Sequence, residues 1–108
     1  MISGTPAGSS AAPPTVRLSR ESLDPSRALA AVVMPSAGGN VLFVGTARAT
    51  TDGLVTQRLE YEAHEPLALA VLARLRDESI EQFGLEGCRI EHRLGTVEPG
   101  EASVVVAV

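Results

Sequence analysis

One segment constrains this sequence more than any other: the stretch from Glu65-Pro66 to Phe83, which sits between two runs of alternating residues. Leu67, Val71, Leu75, Ser79 and Phe83 recur every four residues and Leu72 and Ile80 widen the stripe, while Arg74, Asp77, Glu78 and Glu81 fall mostly on the other side. That is the period of an amphipathic helix, and its apolar stripe reads as core. Pro66 in the first turn and Gly84 beyond the last residue match what helix ends require. Upstream, Val55, Gln57, Leu59 and Tyr61 alternate with Thr56, Arg58, Glu60 and Glu62. Downstream, Cys88, Ile90, His92 and Leu94 alternate with Arg89, Glu91 and Arg93. A period of two marks strands.

The remaining segments complete a layered pattern. Val16 and Leu18 alternate with Arg17 and Ser19, a short strand signal. Asp24 before Pro25 supplies an N-cap and a first-turn proline, predicting a helix from Pro25 to about Val33; Pro35 and Gly38-Gly39-Asn40 end it. Val41-Leu42-Phe43-Val44 is continuously apolar and predicts a strand covered on both faces, leading through Gly45-Thr46-Ala47 to Arg48. Asp52-Gly53 favours a hairpin turn, so this strand is expected to pair antiparallel with the alternating stretch that follows. Glu98-Pro99-Gly100-Glu101 suits a type II turn, and a final strand from Ser103 to Val108 should pair back onto the one before it. The order β-α-β-β-α-β-β predicts an α+β domain with helices on a mainly antiparallel sheet.

Residues 1–14, small and Pro-rich, read as a disordered leader, and residues 15–108 as one domain. The run Val104–Val108 is apolar and then stops. An edge left bare in this way is an aggregation hazard, so the domain is expected to be incomplete at its C-terminus or covered there by a partner.

Composition excludes several classes. All nine basic residues are arginines, there is no lysine, and thirteen acids bring the net charge to −4. Nucleic acid is therefore not an expected partner, because phosphate neutralisation needs a basic face. No run approaches the roughly 20 apolar residues that cross a bilayer, so no membrane span is expected. A single cysteine, Cys88, and no recognisable export signal point to a cytoplasmic protein.

Candidate chemistry is sparse. His64, His92 and Cys88 lack metal-ligand spacing, and Cys88 and His92 on one strand face stand roughly 13 Å apart, so no metal is expected. Cys88 reads as a small buried hydrophobe and His92 as a hydrogen-bonded core histidine. Glu60 and Glu62 share a strand face at acid–base spacing, but the alternation places them on a solvated side. No Gly-x-Ser-x-Gly is present, and Gly38-Gly39 lacks the remainder of a phosphate loop. Arg48 remains. At the end of an apolar strand it is either a snorkelling surface arginine or a bidentate fork for phosphate or carboxylate.

Three motifs then fall into order: Gly39-Asn40-Val41-Leu42-Phe43-Val44-Gly45-Thr46-Ala47-Arg48, Leu59-Glu60-Tyr61-Glu62-Ala63-His64-Glu65-Pro66-Leu67-Ala68 and Glu91-His92-Arg93-Leu94-Gly95-Thr96-Val97-Glu98-Pro99-Gly100-Glu101. Together they resemble the large, catalytic subunit of molybdopterin synthase, the MoaE family, over about Val16 to Val108. The resemblance implies an α/β-hammerhead fold and a homodimer flanked by two copies of a small ubiquitin-like sulfur-carrier subunit, a heterotetramer. The carrier's C-terminal Gly-Gly thiocarboxylate would enter a pocket, and its sulfur would pass twice to cyclic pyranopterin monophosphate, giving the dithiolene of molybdopterin without a cofactor or metal. Arg48 matches the family's pocket arginine, suited to the substrate's anionic groups, and Phe43 matches an aromatic beside it. Two departures accompany the match. Ala49-Thr50 follow Arg48 where the family usually has Asn-His, and the two lysines that look like its acid–base and positioning groups have no counterpart in this lysine-free sequence. The catalytic residues are thus unassigned, and the alternative to an enzyme is a truncated, non-catalytic module that dimerises or binds the carrier.

Overall fold

The computed structural model describes residues 15–48, 50–51, 54–55 and 59–108. The leader at 1–14, the Asp52-Gly53 turn and the side chain of Glu60 lie outside the described residues.

The elements run β1 (Val16–Ser19), α1 (Pro25–Ala30), β2 (Leu42–Thr46), β3 (Thr50–Thr51), β4 (Leu54–Val55), β5 (Leu59–Tyr61), α2 (Glu65–Phe83), β6 (Arg89–Arg93), β7 (Gly95–Val97) and β8 (Ala102–Ala107). The fold is α+β, as expected, and mainly antiparallel. Its principal sheet has four strands in the order β1-β6-β8-β2, with β1 and β6 the parallel pair. β3 with β4, and β5 with β7, make two small antiparallel ribbons.

Three expectations about pairing need correction. β2 does not pair with the stretch after it. It runs antiparallel to β8, Leu42 opposite Ala107 and Val44 opposite Val105, so two apolar strands meet across most of the chain. β8 is accordingly an interior strand: it pairs with β6 on one side and β2 on the other, and the amide and carbonyl of Val108 both bond Val41 at 3.0 Å. The run Val104–Val108 is apolar because it fills the middle of the sheet, and its backbone is not bare. β2 is instead the edge strand, with Val41, Leu42, Phe43 and Val44 exposed rather than covered on both faces.

α1 starts at the predicted cap. The Asp24 carboxylate accepts the amides of Ser26 at 3.0 Å and Arg27 at 3.4 Å, satisfying donors that a first turn leaves free. The helix is shorter than predicted, closing at Ala31, and Val32 continues it only through a tighter bond to the Leu29 carbonyl. Leu23, Ala28 and Val32 pack on Val105 and Ala107, forming the core on one face of the sheet.

α2 has the predicted bounds, and Gly84 ends it at φ 63, a left-handed cap that glycine adopts without strain. Its inward face is rotated from the predicted one. None of its residues is fully buried; Ala68, Leu72, Arg76 and Ile80 are half-buried, whereas Leu67, Val71, Leu75 and Phe83 are exposed. A shift of one residue turns a helix by about 100°. On this inward face the Arg76 Nε donates to the Cys88 carbonyl at 2.8 Å, tying α2 to the start of β6. Of the predicted stripe, Leu72, Ser79 and Ile80 thus turn towards the sheet, whereas Leu67, Val71, Leu75 and Phe83 are left exposed.

Candidate functional site

The exit of β2 is built by a clamp. Ala47 is buried; its amide donates to the Glu101 carbonyl at 3.1 Å and its carbonyl accepts the Gly100 amide at 2.8 Å. Gly100 has φ 90, so the Glu98–Glu101 turn uses the glycine conformation that the sequence predicted for it. Just before the clamp the register shifts: Gly45 lies opposite Val104 but Thr46 lies opposite Ala102. Ser103 is the extra residue, and its hydroxyl donates to the Gly45 carbonyl at 3.2 Å.

Arg48 follows the clamp and is exposed. Among the described residues no ion pair involves it. A guanidinium in this position can bind a phosphate or carboxylate through two parallel N–H bonds without first breaking a described contact. Phe43 lies five residues earlier, on β2, and is 57% exposed. Its ring passes over Gly45, where an added Cβ would stand 3.4 Å from Phe43 Cε2 and 2.7 Å from Val104 Cγ1. Gly45 is thus required by close approach. Phe43 thus sits within β2 and Arg48 two residues beyond its end, with the buried Ala47 between them.

A second feature is a groove of about 510 Å³ between α2 and the sheet. Leu18, His92 and Leu94 line it from below, and His64, Leu67 and Leu72 from the helix. Arg48 is not among its walls. His92 is half-buried, with Nδ1 2.6 Å from the Arg93 carbonyl, consistent with a hydrogen-bonded structural histidine. Among the described residues no three His, Cys, Asp or Glu side chains converge as metal ligands. None of the described helices is long and apolar enough to cross a membrane.

The charged residues of β6 are where the sequence misleads most. Arg89, Glu91 and Arg93 are buried and share the α1 side of the sheet with Val105 and Ala107, while Ile90 and His92 face α2 and are less covered. Arg89 Nε lies 2.6 Å from Glu91 Oε2, and Arg17 approaches the other oxygen at 3.9 Å. Arg93 donates to the Thr96 carbonyl at 2.6 Å and lies 3.9 Å from Glu101. The Glu101 carboxylate in turn accepts the Glu98 amide at 2.8 Å. The sequence marks Glu101 only as the end of a turn; its side-chain contacts join residues that meet only in the folded chain. Cys88 is buried as expected, and burial pushes its thiol pKa up, with Arg76 acting in the opposite sense.

Comparison with known proteins agrees with this architecture. The family profile described as MoaE protein matches residues 18–108. A molybdopterin synthase catalytic subunit from Emericella nidulans is 46% identical over 101 residues, covering 94% of this chain and 52% of that protein. Among solved structures, molybdopterin synthase from Staphylococcus aureus superposes with a TM-score of 0.77 at 29% identity, covering 83% of this chain and 66% of that one. A complex of subunits 1 and 2 of molybdopterin-converting factor from Helicobacter pylori shares the fold, with a TM-score of 0.69 at 21% identity over 87% of this chain and 64% of that one. The fold is therefore that of the molybdopterin synthase structures. The chain belongs to the MoaE family, and it spans about half the length of the curated relative it matches.

Proposed function

We propose that this chain works in molybdenum cofactor biosynthesis as a molybdopterin synthase catalytic subunit, a sulfurtransferase of the cytoplasm. The observation that carries this reading is the family match over 18–108 together with a relative at 46% identity named as the catalytic subunit. That naming also favours the enzyme over a non-catalytic dimerisation or carrier-binding module. The donor would be the C-terminal Gly-Gly thiocarboxylate of a small ubiquitin-like carrier, and the acceptor cyclic pyranopterin monophosphate. Each of two transfers would put a carbon–sulfur bond in place of a carbon–oxygen bond of the acceptor, whose oxygen leaves, and water would cleave the acyl–sulfur bond so that the carrier tail departs as a carboxylate.

In this chemistry the sulfur is its own nucleophile, so the protein's task is to orient two anions and neutralise them. Arg48 is suited to hold the acceptor's anionic groups, and Phe43 offers an apolar surface beside it. The sequence has no lysine and arginine stays protonated, so neither basic residue type of this chain supplies the acid–base role that the family's lysines suggest. The exposed apolar residues of β2 and α2 are the surfaces suited to a second copy and to the carrier, in a homodimer within a heterotetramer.

The test is to supply the purified gene product with thiocarboxylated carrier and cyclic pyranopterin monophosphate and to measure molybdopterin formed. Product that depends on both additions supports the reading. Carrier binding without product would support the non-catalytic module, and neither binding nor product would overturn both.

A further inference from the structure

The groove beneath α2, the buried cations of β6 and the clamp at the end of β2 are the strongest features of the structure that the proposed reaction leaves unused, and the clamp leads furthest. We propose that Glu101 is the positioning residue for Arg48, acting through the turn that its carboxylate closes. This rests on the reading of Arg48 as the anion holder.

The chain of contacts is continuous. One Glu101 oxygen accepts the Glu98 amide at 2.8 Å, closing the turn, while the Glu101 amide donates to the Glu98 carbonyl at 3.0 Å. The other oxygen faces Arg93 at 3.9 Å and the Ser22 hydroxyl at 3.5 Å. Arg93 is itself nearly fully buried and anchored on the Thr96 carbonyl, so it is a fixed post against which Glu101 is set. From the closed turn, Gly100 and Glu101 grip Ala47 through its carbonyl and amide. Ala47 is the residue before Arg48, and its two backbone bonds fix the direction in which the chain leaves β2. The Ser103 bulge ends the regular ladder just before this point, so without the turn the segment carrying Arg48 would lose its nearest described support.

A residue that only stabilised the fold would loosen β6 and β8 together with the turn. A positioning residue loosens Ala47 and weakens ligand binding through Arg48 alone. The experiment compares Glu101→Ala, Glu101→Asp, Glu101→Gln, Arg48→Ala and the Glu101→Ala/Arg48→Ala double variant. Affinity for cyclic pyranopterin monophosphate is read by titration, and hydrogen exchange is followed at the Ala47, Ile90 and His92 amides.

Glu101→Ala should weaken binding about tenfold, the scale of one charge-assisted hydrogen bond. It should also speed exchange at Ala47 while leaving Ile90 and His92 unchanged. Glu101→Asp keeps the charge but withdraws it by one methylene, and should show the same loss in a chain perturbed less. Glu101→Gln retains an acceptor for the Glu98 amide but not the charge that faces Arg93, and should fall between wild type and Glu101→Ala. The double variant should bind no worse than Arg48→Ala. Wild-type affinity and Ala47 exchange in Glu101→Ala, with Arg48→Ala weakened, would overturn this proposal alone, as would additive losses in the double variant. Wild-type affinity in Arg48→Ala would overturn the anion-holder reading and this proposal with it.

Discussion

Arg89 and Glu91 lie two residues apart on β6, turn to the same face, and meet at 2.6 Å with 5% and 1% of their side chains exposed. Removing one member strands the other charge under α1, a loss on the order of 3–5 kcal/mol. Glu91→Ala should therefore lower the urea midpoint severely. Replacing both together, Arg89→Met with Glu91→Leu, should recover most of that loss, because apolar pairs of similar volume are tolerated where an unpaired charge is not. Equal losses in the single and the double variants would show that the ion pair is not what the site needs.

Gly45→Ala tests the close approach of β2 to β8. The new methyl would stand 2.7 Å from Val104 Cγ1, so the strands must part or Val104 must move. Overpacking of this kind costs about 1–3 kcal/mol. Thermal unfolding should show the loss, and Val104→Ala in the same chain should relieve much of it.

Arg48→Ala should leave stability within about 0.5 kcal/mol of wild type, since exposed positions contribute little to folding. On the function proposed above, sulfur transfer should nonetheless fall at least tenfold when measured with thiocarboxylated carrier and cyclic pyranopterin monophosphate. Unchanged turnover would remove Arg48 from the site. Phe43→Ala should reduce turnover less than Arg48→Ala does.

Cys88 carries a pH signature. Its thiol pKa is raised first by burial, with Arg76 partly opposing that shift. Folding thus favours the protonated form, and the associated stability is complete below the ordinary thiol range near pH 8.5 and declines as the pH rises through it towards the folded value. Alkaline denaturation profiles should be shallower for Cys88→Ala than for wild type. Labelling of the native protein by a thiol reagent at pH 8 should be slow and should accelerate with denaturant.

Local patterning revealed most elements, because caps, turns and periods are written in neighbouring residues. Asp24-Pro25, Gly84 and Glu98-Pro99-Gly100-Glu101 each mark a boundary the structure keeps. What local pattern does not contain is partner choice. Val41–Val44 sits next to a hairpin signal, yet its apolar faces are matched by Val104–Val108 at the far end of the chain. Alternation also fixes which residues share a face without saying which face is covered. In β6 the small helix α1, with Ala28 against the sheet, lies over the charged set, so Arg89, Glu91 and Arg93 are inside and Ile90 and His92 less so. For α2 the period and the charged outer face are kept, but the inward face is offset, taking in Ala68 and Arg76, which bonds the Cys88 carbonyl, in place of Leu67 and Leu75. Of the candidate site, Arg48 and Phe43 rest on the motif that contains them, and the structure adds that both are exposed. The clamp on Ala47 was not legible, since it joins residues that meet only in the folded chain.

The central place of β8 also orders the making of the protein. Until Ala102–Ala107 has been synthesised, neither β6 nor β2 has its antiparallel ladder in the principal sheet, and the apolar ribbon Val41–Val44 must wait as the ribosome adds everything between. Closure over so long a separation is slow, and a waiting ribbon of this kind is what chaperones hold. The strand that emerges late is the one that lets the early ones settle.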